Sequence, residues 1–132
     1  MAEIPSDFHD LFERQTFAHV TTLTPDGDPH TTPVWIDYDA EANRVLVNTE
    51  RGRRKERNVV ADPRVSVSML DPDDPYRYLS VTGEVTEVTT EGALEHIEQL
   101  SLRYTGEAEY PGTIRTERVV LRVRPDEVLT SG

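Results

Sequence analysis

The chain has 132 residues, enough for one domain with a single core, and it is 36% hydrophobic against 30% charged. Its 25 acidic and 14 basic residues give a formal charge of −11, which argues against a general binder of nucleic acid or anionic membrane, since both need a broad positive field. There is no cysteine, so disulfides, thiolate nucleophiles and cysteine-ligated zinc are excluded. The opening residues Met1-Ala2-Glu3-Ile4-Pro5 lack a cationic start and an apolar segment, and no apolar run approaches membrane-spanning length. The expectation is a soluble cytoplasmic protein.

Ser6 is placed to cap a helix with Phe8, Leu11 and Phe12 as its apolar stripe, ending near Gln15. From Phe17 the period shifts to two. Residues Phe17 to Thr24 read as a strand, and Pro25-Asp26-Gly27-Asp28 as a turn. A second strand runs from His30 to Tyr38 but contains Pro33, which cannot donate to a ladder, so it lies at an edge, is bulged, or faces a ligand. After a turn at Asp39 to Asn43, Arg44 to Thr49 form the third strand.

A short helix follows from Arg53 to Ala61, stopped by Asp62-Pro63. Val65, Val67 and Met69 alternate with serines as a half-buried strand, and Asp71 to Pro75 read as a loop. Tyr76 to Val88 form one long strand bent near Gly83. Thr90 is a plausible cap for a helix from Glu91 to Tyr104, with Leu94, Ile97, Leu100, Ser101 and Tyr104 on one face. The last clear strand spans Glu117 to Arg124, and Val128-Leu129 suggest a further short one. About six or seven regularly spaced strands with a few short helices point to a mainly β fold, an antiparallel barrel that is closed or nearly closed.

One stretch stands apart from the acidic background. Five of the 14 basic residues fall between Arg51 and Arg57, where a strand passes through Gly52 into a helix N-terminus. Free N–H groups, the positive end of the helix dipole, and full Arg and Lys charges together suit a phosphate. The competing reading is a solvated basic helix face. Single-stranded nucleic acid is disfavoured, because no aromatic residue lies among these cations and the net charge is strongly negative. His9, His19, His30 and His96 are too scattered to suggest a metal site.

Several runs occur in a recognisable order: Thr22-Leu23-Thr24-Pro25-Asp26-Gly27, Pro33-Val34-Trp35, Val45-Leu46-Val47-Asn48-Thr49 and Gly52-Arg53-Arg54-Lys55-Glu56-Arg57-Asn58. Asp62-Pro63-Arg64-Val65-Ser66, Tyr76-Arg77-Tyr78 and Gly83-Glu84-Val85 continue it. Together they resemble the pyridoxamine 5′-phosphate oxidase-like flavoproteins with the FMN-binding split-barrel fold, and within them the small deazaflavin-dependent oxidoreductases. The resemblance covers nearly the whole chain, and it lies in the order and spacing of the motifs rather than in any one of them.

The resemblance implies a homodimer with two cofactor sites in the groove between the barrels. The cofactor is FMN or a deazaflavin of the coenzyme F-420 type. Its phosphate falls to Asn48 and Thr49 at the end of the third strand, beside Val47, and to Arg53 and Lys55 with Arg54 nearby. Its ring system lies along Pro33, Val34 and Trp35, largely against backbone, and Tyr76 and Tyr78 match positions where the partner subunit offers an aromatic. The family's pyridoxamine phosphate oxidases carry a further C-terminal segment that this sequence does not show after Val128-Leu129-Thr130, so vitamin B6 oxidation is not expected. The resemblance implies hydride transfer between the bound cofactor and a small conjugated organic substrate, with no catalytic acid–base pair among the side chains. The alternative is a non-catalytic protein that binds flavin or haem for storage or sensing.

Overall fold

Period-two runs of valine, leucine and threonine build seven antiparallel strands in the computed structural model, which describes residues 1–132. They are β1 (Phe17–Leu23), β2 (Pro29–Trp35), β3 (Asp37–Asp39), β4 (Arg44–Glu50), β5 (Arg64–Asp71), β6 (Asp74–Thr89) and β7 (Arg118–Ser131). Two helices interrupt them, α1 (Arg54–Ala61) and α2 (Ala93–Thr105), and a 3-10 helix (Ser6–Phe12) precedes them. The sheet order is β2-β1-β5-β6-β7-β4-β3. The two end strands, β2 and β3, are consecutive in the chain and are joined only through the buried Ile36. The sheet therefore curls into a barrel closed by chain continuity rather than by a ladder, with a split where β2 passes β4. No helix is long and apolar enough to cross a membrane.

The core follows from register. Val20, Val67 and Val81 lie side by side across β1, β5 and β6, and each is at most 1% exposed. Ile4, Phe8, Leu11 and Phe12 plug one end of the barrel. Each such side chain contributes on the order of 1.5–3 kcal/mol by leaving water. At the bend of β6, Gly83 opposes Pro125, and a Cβ there would collide with the Arg124 carbonyl oxygen, so only glycine allows this approach.

Several boundaries differ from the sequence reading. The first helix is 3-10 rather than α, ends at Phe12, and takes Pro5 rather than Ser6 as its cap residue. The second expected strand breaks at Ile36 into β2 and β3, with Pro33 on an edge strand. The expected loop at Asp71 to Pro75 shrinks to a two-residue hairpin, because the Asp71 carboxylate accepts the Asp73 N–H at 2.8 Å and fixes the turn locally. Gly92, in the left-handed region at φ 69°, opens α2 in place of Thr90. The inner face holds Ile97, Leu100, Ser101 and Tyr104 as expected, but Leu94 is 55% exposed, and Ala93 and His96 are buried in its place. Finally, Val128-Leu129 belong to β7 itself, which runs on past Arg124 through a bulge opposite Gly83.

Away from the split, Arg14 and Arg77 are enclosed by carboxylates. Arg77 donates to Asp10 at 2.7 and 3.1 Å, to Asp71 at 2.8 Å and to the Asp7 carbonyl at 2.6 Å, and it lies 4.7 Å above the Phe8 ring. Arg14 donates to Asp71 at 3.0 Å and also to Asp73.

Candidate functional site

Where β2 and β4 diverge they leave a cleft of about 330 Å³, within the usual range for small-molecule sites. Pro33, Val34 and Trp35 of β2, with Phe17 of β1, form one wall. Asn48 and Thr49 at the end of β4 and Arg53 and Lys55 at the start of α1 form the other. Ile97 and Leu100 of α2 make the floor apolar, and Tyr110 and Arg118 complete the lining.

The aromatic wall is held from behind. Trp35 stacks on Tyr104 with ring centroids 5.2 Å apart and planes 14° from parallel, while Tyr110 meets Trp35 edge-on at 6.2 Å. The Tyr104 hydroxyl donates to the Thr16 carbonyl at 2.5 Å and accepts the Ile36 N–H at 3.1 Å. One tyrosine thus pins the β2–β3 corner and sets the tryptophan plane.

The opposite wall carries positive charge without adequate balance. Burial pushes Lys55 below its ordinary value, and the neighbouring Arg53 and Arg118 push it further. Burial likewise depresses Arg118, which is 7% exposed. The nearest counter-charge is Glu50, whose Oε2 lies 3.9 Å from Arg118 Nη1 and 3.8 Å from Arg53 Nη2, outside hydrogen-bond reach. The other oxygen of Glu50 is already occupied by the N–H groups of Arg115 and Thr116 at 2.7 and 2.6 Å. Two buried polar atoms of this cleft, Thr49 Oγ1 and Arg118 Nη1, have no hydrogen-bond partner. No side chain caps α1, whose first turn opens beside them. Such orphans cost roughly 1–3 kcal/mol each unless something fills them. An anion offers the acceptor oxygens that both donors lack.

The structure brings Pro33, Val34, Trp35, Asn48, Thr49, Arg53 and Lys55 into this one cleft. Val47 is adjacent, but its side chain points into the core and is fully buried. Arg54 is exposed and lies outside the lining. Tyr76 and Tyr78 sit on β6, 83% and 38% exposed, also outside it. Sequence reasoning did not single out Phe17, Ile97, Leu100, Tyr110 or Arg118 for the site. Arg118 had one legible signal: a charged residue opening an apolar strand, which the register sets opposite Glu50.

The family model described as pyridoxamine 5′-phosphate oxidase matches residues 4–132. Among solved structures, an F420 reductase is 32% identical, covering 96% of this chain and 98% of its own, with a TM-score of 0.83. Two more distant structures share the fold. Conserved hypothetical protein Rv2991 from Mycobacterium tuberculosis is 24% identical over 99% of this chain and 86% of its own, with a TM-score of 0.77. HupZ from Group A Streptococcus is 16% identical over 96% and 93%, with a TM-score of 0.69. No curated protein matches the chain in sequence.

Proposed function

The chain belongs to the pyridoxamine 5′-phosphate oxidase family, and from that premise we propose that it is an oxidoreductase holding a phosphate-bearing flavin or deazaflavin in the cleft between β2 and β4. The observation that carries this reading is the pair of buried, partnerless polar atoms, Thr49 Oγ1 and Arg118 Nη1, on the cationic wall facing an aromatic one. A hydroxyl, two arginines and a lysine suit a phosphate, and Trp35 with the exposed edge of β2 suits a flat ring system. The kinship to an F420 reductase favours the deazaflavin, coenzyme F-420 type, over FMN.

Thr49, Arg53, Lys55 and Arg118 take the phosphate. The Asn48 amide is already committed, accepting from Arg118 Nε–H at 2.9 Å, so it holds Arg118 rather than the ligand directly. Trp35 and Tyr110 exclude water from the ring. The bound coenzyme supplies the hydride chemistry, which no side chain of the cleft provides. The substrate is a small conjugated organic molecule that accepts or yields that hydride.

The partner is a second copy of the chain. Trp35 pairs with Phe17, and Leu70 with Tyr78, on the outer face of β2, β1, β5 and β6. Phe17, Leu70 and Tyr78 are 56%, 52% and 38% exposed, so an apolar row continues from the cleft across the sheet. A copy docked there brings its own Tyr76 and Tyr78 towards a shared groove.

Mass spectrometry of the ligand released from protein purified out of its native host, with its absorbance, tests the reading. A band near roughly 420 nm marks the deazaflavin and one near roughly 450 nm oxidised FMN. Bound coenzyme without turnover of any hydride acceptor leaves a binding protein instead of an enzyme. Protein that gains neither spectrum on titration contradicts the site itself.

A further inference from the structure

Arg118 stands on β7, far along the chain from the basic stretch, and its orientation is set by a line of side chains behind the cleft. Its Nε–H donates to Asn48 Oδ1 at 2.9 Å. That bond fixes which end of the Asn48 amide faces which way. Nδ2 therefore points inward, 2.9 Å from the Ala93 carbonyl and 3.1 Å from His96 Nδ1. Both amide protons are then committed, one to each acceptor. Nδ1 of His96 must be an acceptor, so the ring proton of neutral His96 sits on Nε2, which lies 2.9 Å from Asp37 Oδ2. The second Asp37 oxygen accepts from Arg103 Nη1 at 3.3 Å. Side chains from β3, α2, β4 and β7 thus form one line of donor–acceptor contacts that runs from Arg103 through Asp37, His96 and Asn48 to Arg118 Nε–H and leaves Arg118 Nη1 free. The wiring permits only one orientation of the Asn48 amide and one His96 tautomer.

His96 itself is 9% exposed and does not line the cleft. A histidine whose only role was to fill space has no need of a carboxylate on one nitrogen and a cleft amide on the other. We propose that His96 is a positioning residue: oriented by Asp37, it locks the Asn48 amide and, through it, the Arg118 guanidinium that the cleft offers to an anion. The consequence for binding rests on the proposed coenzyme site, whereas the positioning itself is readable without any coenzyme.

Two substitutions separate positioning from packing. His96→Asn keeps an acceptor oxygen where Nδ1 stands, whereas His96→Leu removes it at similar bulk. With FMN and inorganic pyrophosphate as probes in calorimetric titrations, His96→Leu weakens binding by about tenfold, and His96→Asn stays within about threefold of the unsubstituted chain. Equal affinity in all three proteins overturns the proposal, as does an equal loss in both variants. If the unsubstituted chain binds neither probe, FMN is excluded as the coenzyme, and nitrogen NMR then decides the positioning. The Arg118 Nε–H signal moves in His96→Leu and returns in His96→Asn; a signal unchanged throughout overturns it. Should the leucine variant not fold, the tautomer in the unsubstituted chain decides: a proton on Nε2 alone upholds the wiring, and one on Nδ1 contradicts it.

Discussion

Arg14 and Arg77 at one side of the barrel, and Arg53, Lys55 and Arg118 in the split, use the same charges in opposite ways. Arg77 meets Asp10, Asp71 and a backbone carbonyl, and those carboxylates titrate low in return. Asp71 is lowered to about 2, first by the Asp73 N–H and then by Arg77. In the split one carboxylate, Glu50, stands among the cations at 3.8 to 3.9 Å, and burial depresses the lysine and Arg118 instead of pairing them. A saturated cluster holds the fold together. An unsaturated one keeps binding capacity at the expense of stability, which is where functional sites are found.

The sharpest way to break this comparison is to remove the split cations. Replacing Arg53 and Lys55 together by alanine costs about 2–5 kcal/mol of coenzyme binding, measured by titration, and leaves the Tm of the free chain undiminished. Arg77→Ala does the reverse. It lowers Tm in a thermal melt, because Asp10 and Asp71 lose one of their two arginine partners, while coenzyme affinity is retained.

Acid sharpens the same contrast. The Asp71 carboxyl is depressed from 3.8 to about 2, so its contribution is complete above about pH 4 and is lost as pH falls through that window. Asp71→Asn flattens the segment of an acid-unfolding curve, followed by circular dichroism, that this group supplies. Lys55, also lowered, makes stability rise with pH too, but as the relief of a cost rather than the gain of a contribution. The folded chain holds its proton less tightly than the unfolded chain, so the stability cost of burying the charge is relieved as pH rises through the lowered value. Anion affinity falls over that same rise, and calorimetry across pH shows the slope disappear in Lys55→Ala. The smallest effect is Thr49→Val. It removes an unpartnered buried hydroxyl, so the free chain is no less stable, while coenzyme binding weakens by about 1 kcal/mol.

The strands and the basic stretch were legible because they are local. Val65, Val67 and Met69 alternate within one strand, and Arg51 to Arg57 are neighbours in the chain. The order of motifs then pointed to a split barrel, which the β2-to-β3 passage through Ile36 realises. What stayed hidden depends on register or helix phase. Arg118 reaches the cleft only because β7 pairs with β4, and Tyr110 only because the loop after α2 folds back over Trp35. His96 borders the face that Ile97, Leu100 and Tyr104 bury, and it is buried with them, whereas Leu94 at the other border is left to solvent.

The charge wall's purpose is tested most directly by pairing each coenzyme with its phosphate-free counterpart: FMN against riboflavin, and the F-420-type deazaflavin against its bare chromophore. In fluorescence titrations of the full chain, at least one phosphate-bearing form should bind tighter than its counterpart by about tenfold or more, the value of a charge-assisted phosphate grip. Equal affinity with and without the phosphate would show that Arg53, Lys55 and Arg118 serve some other end.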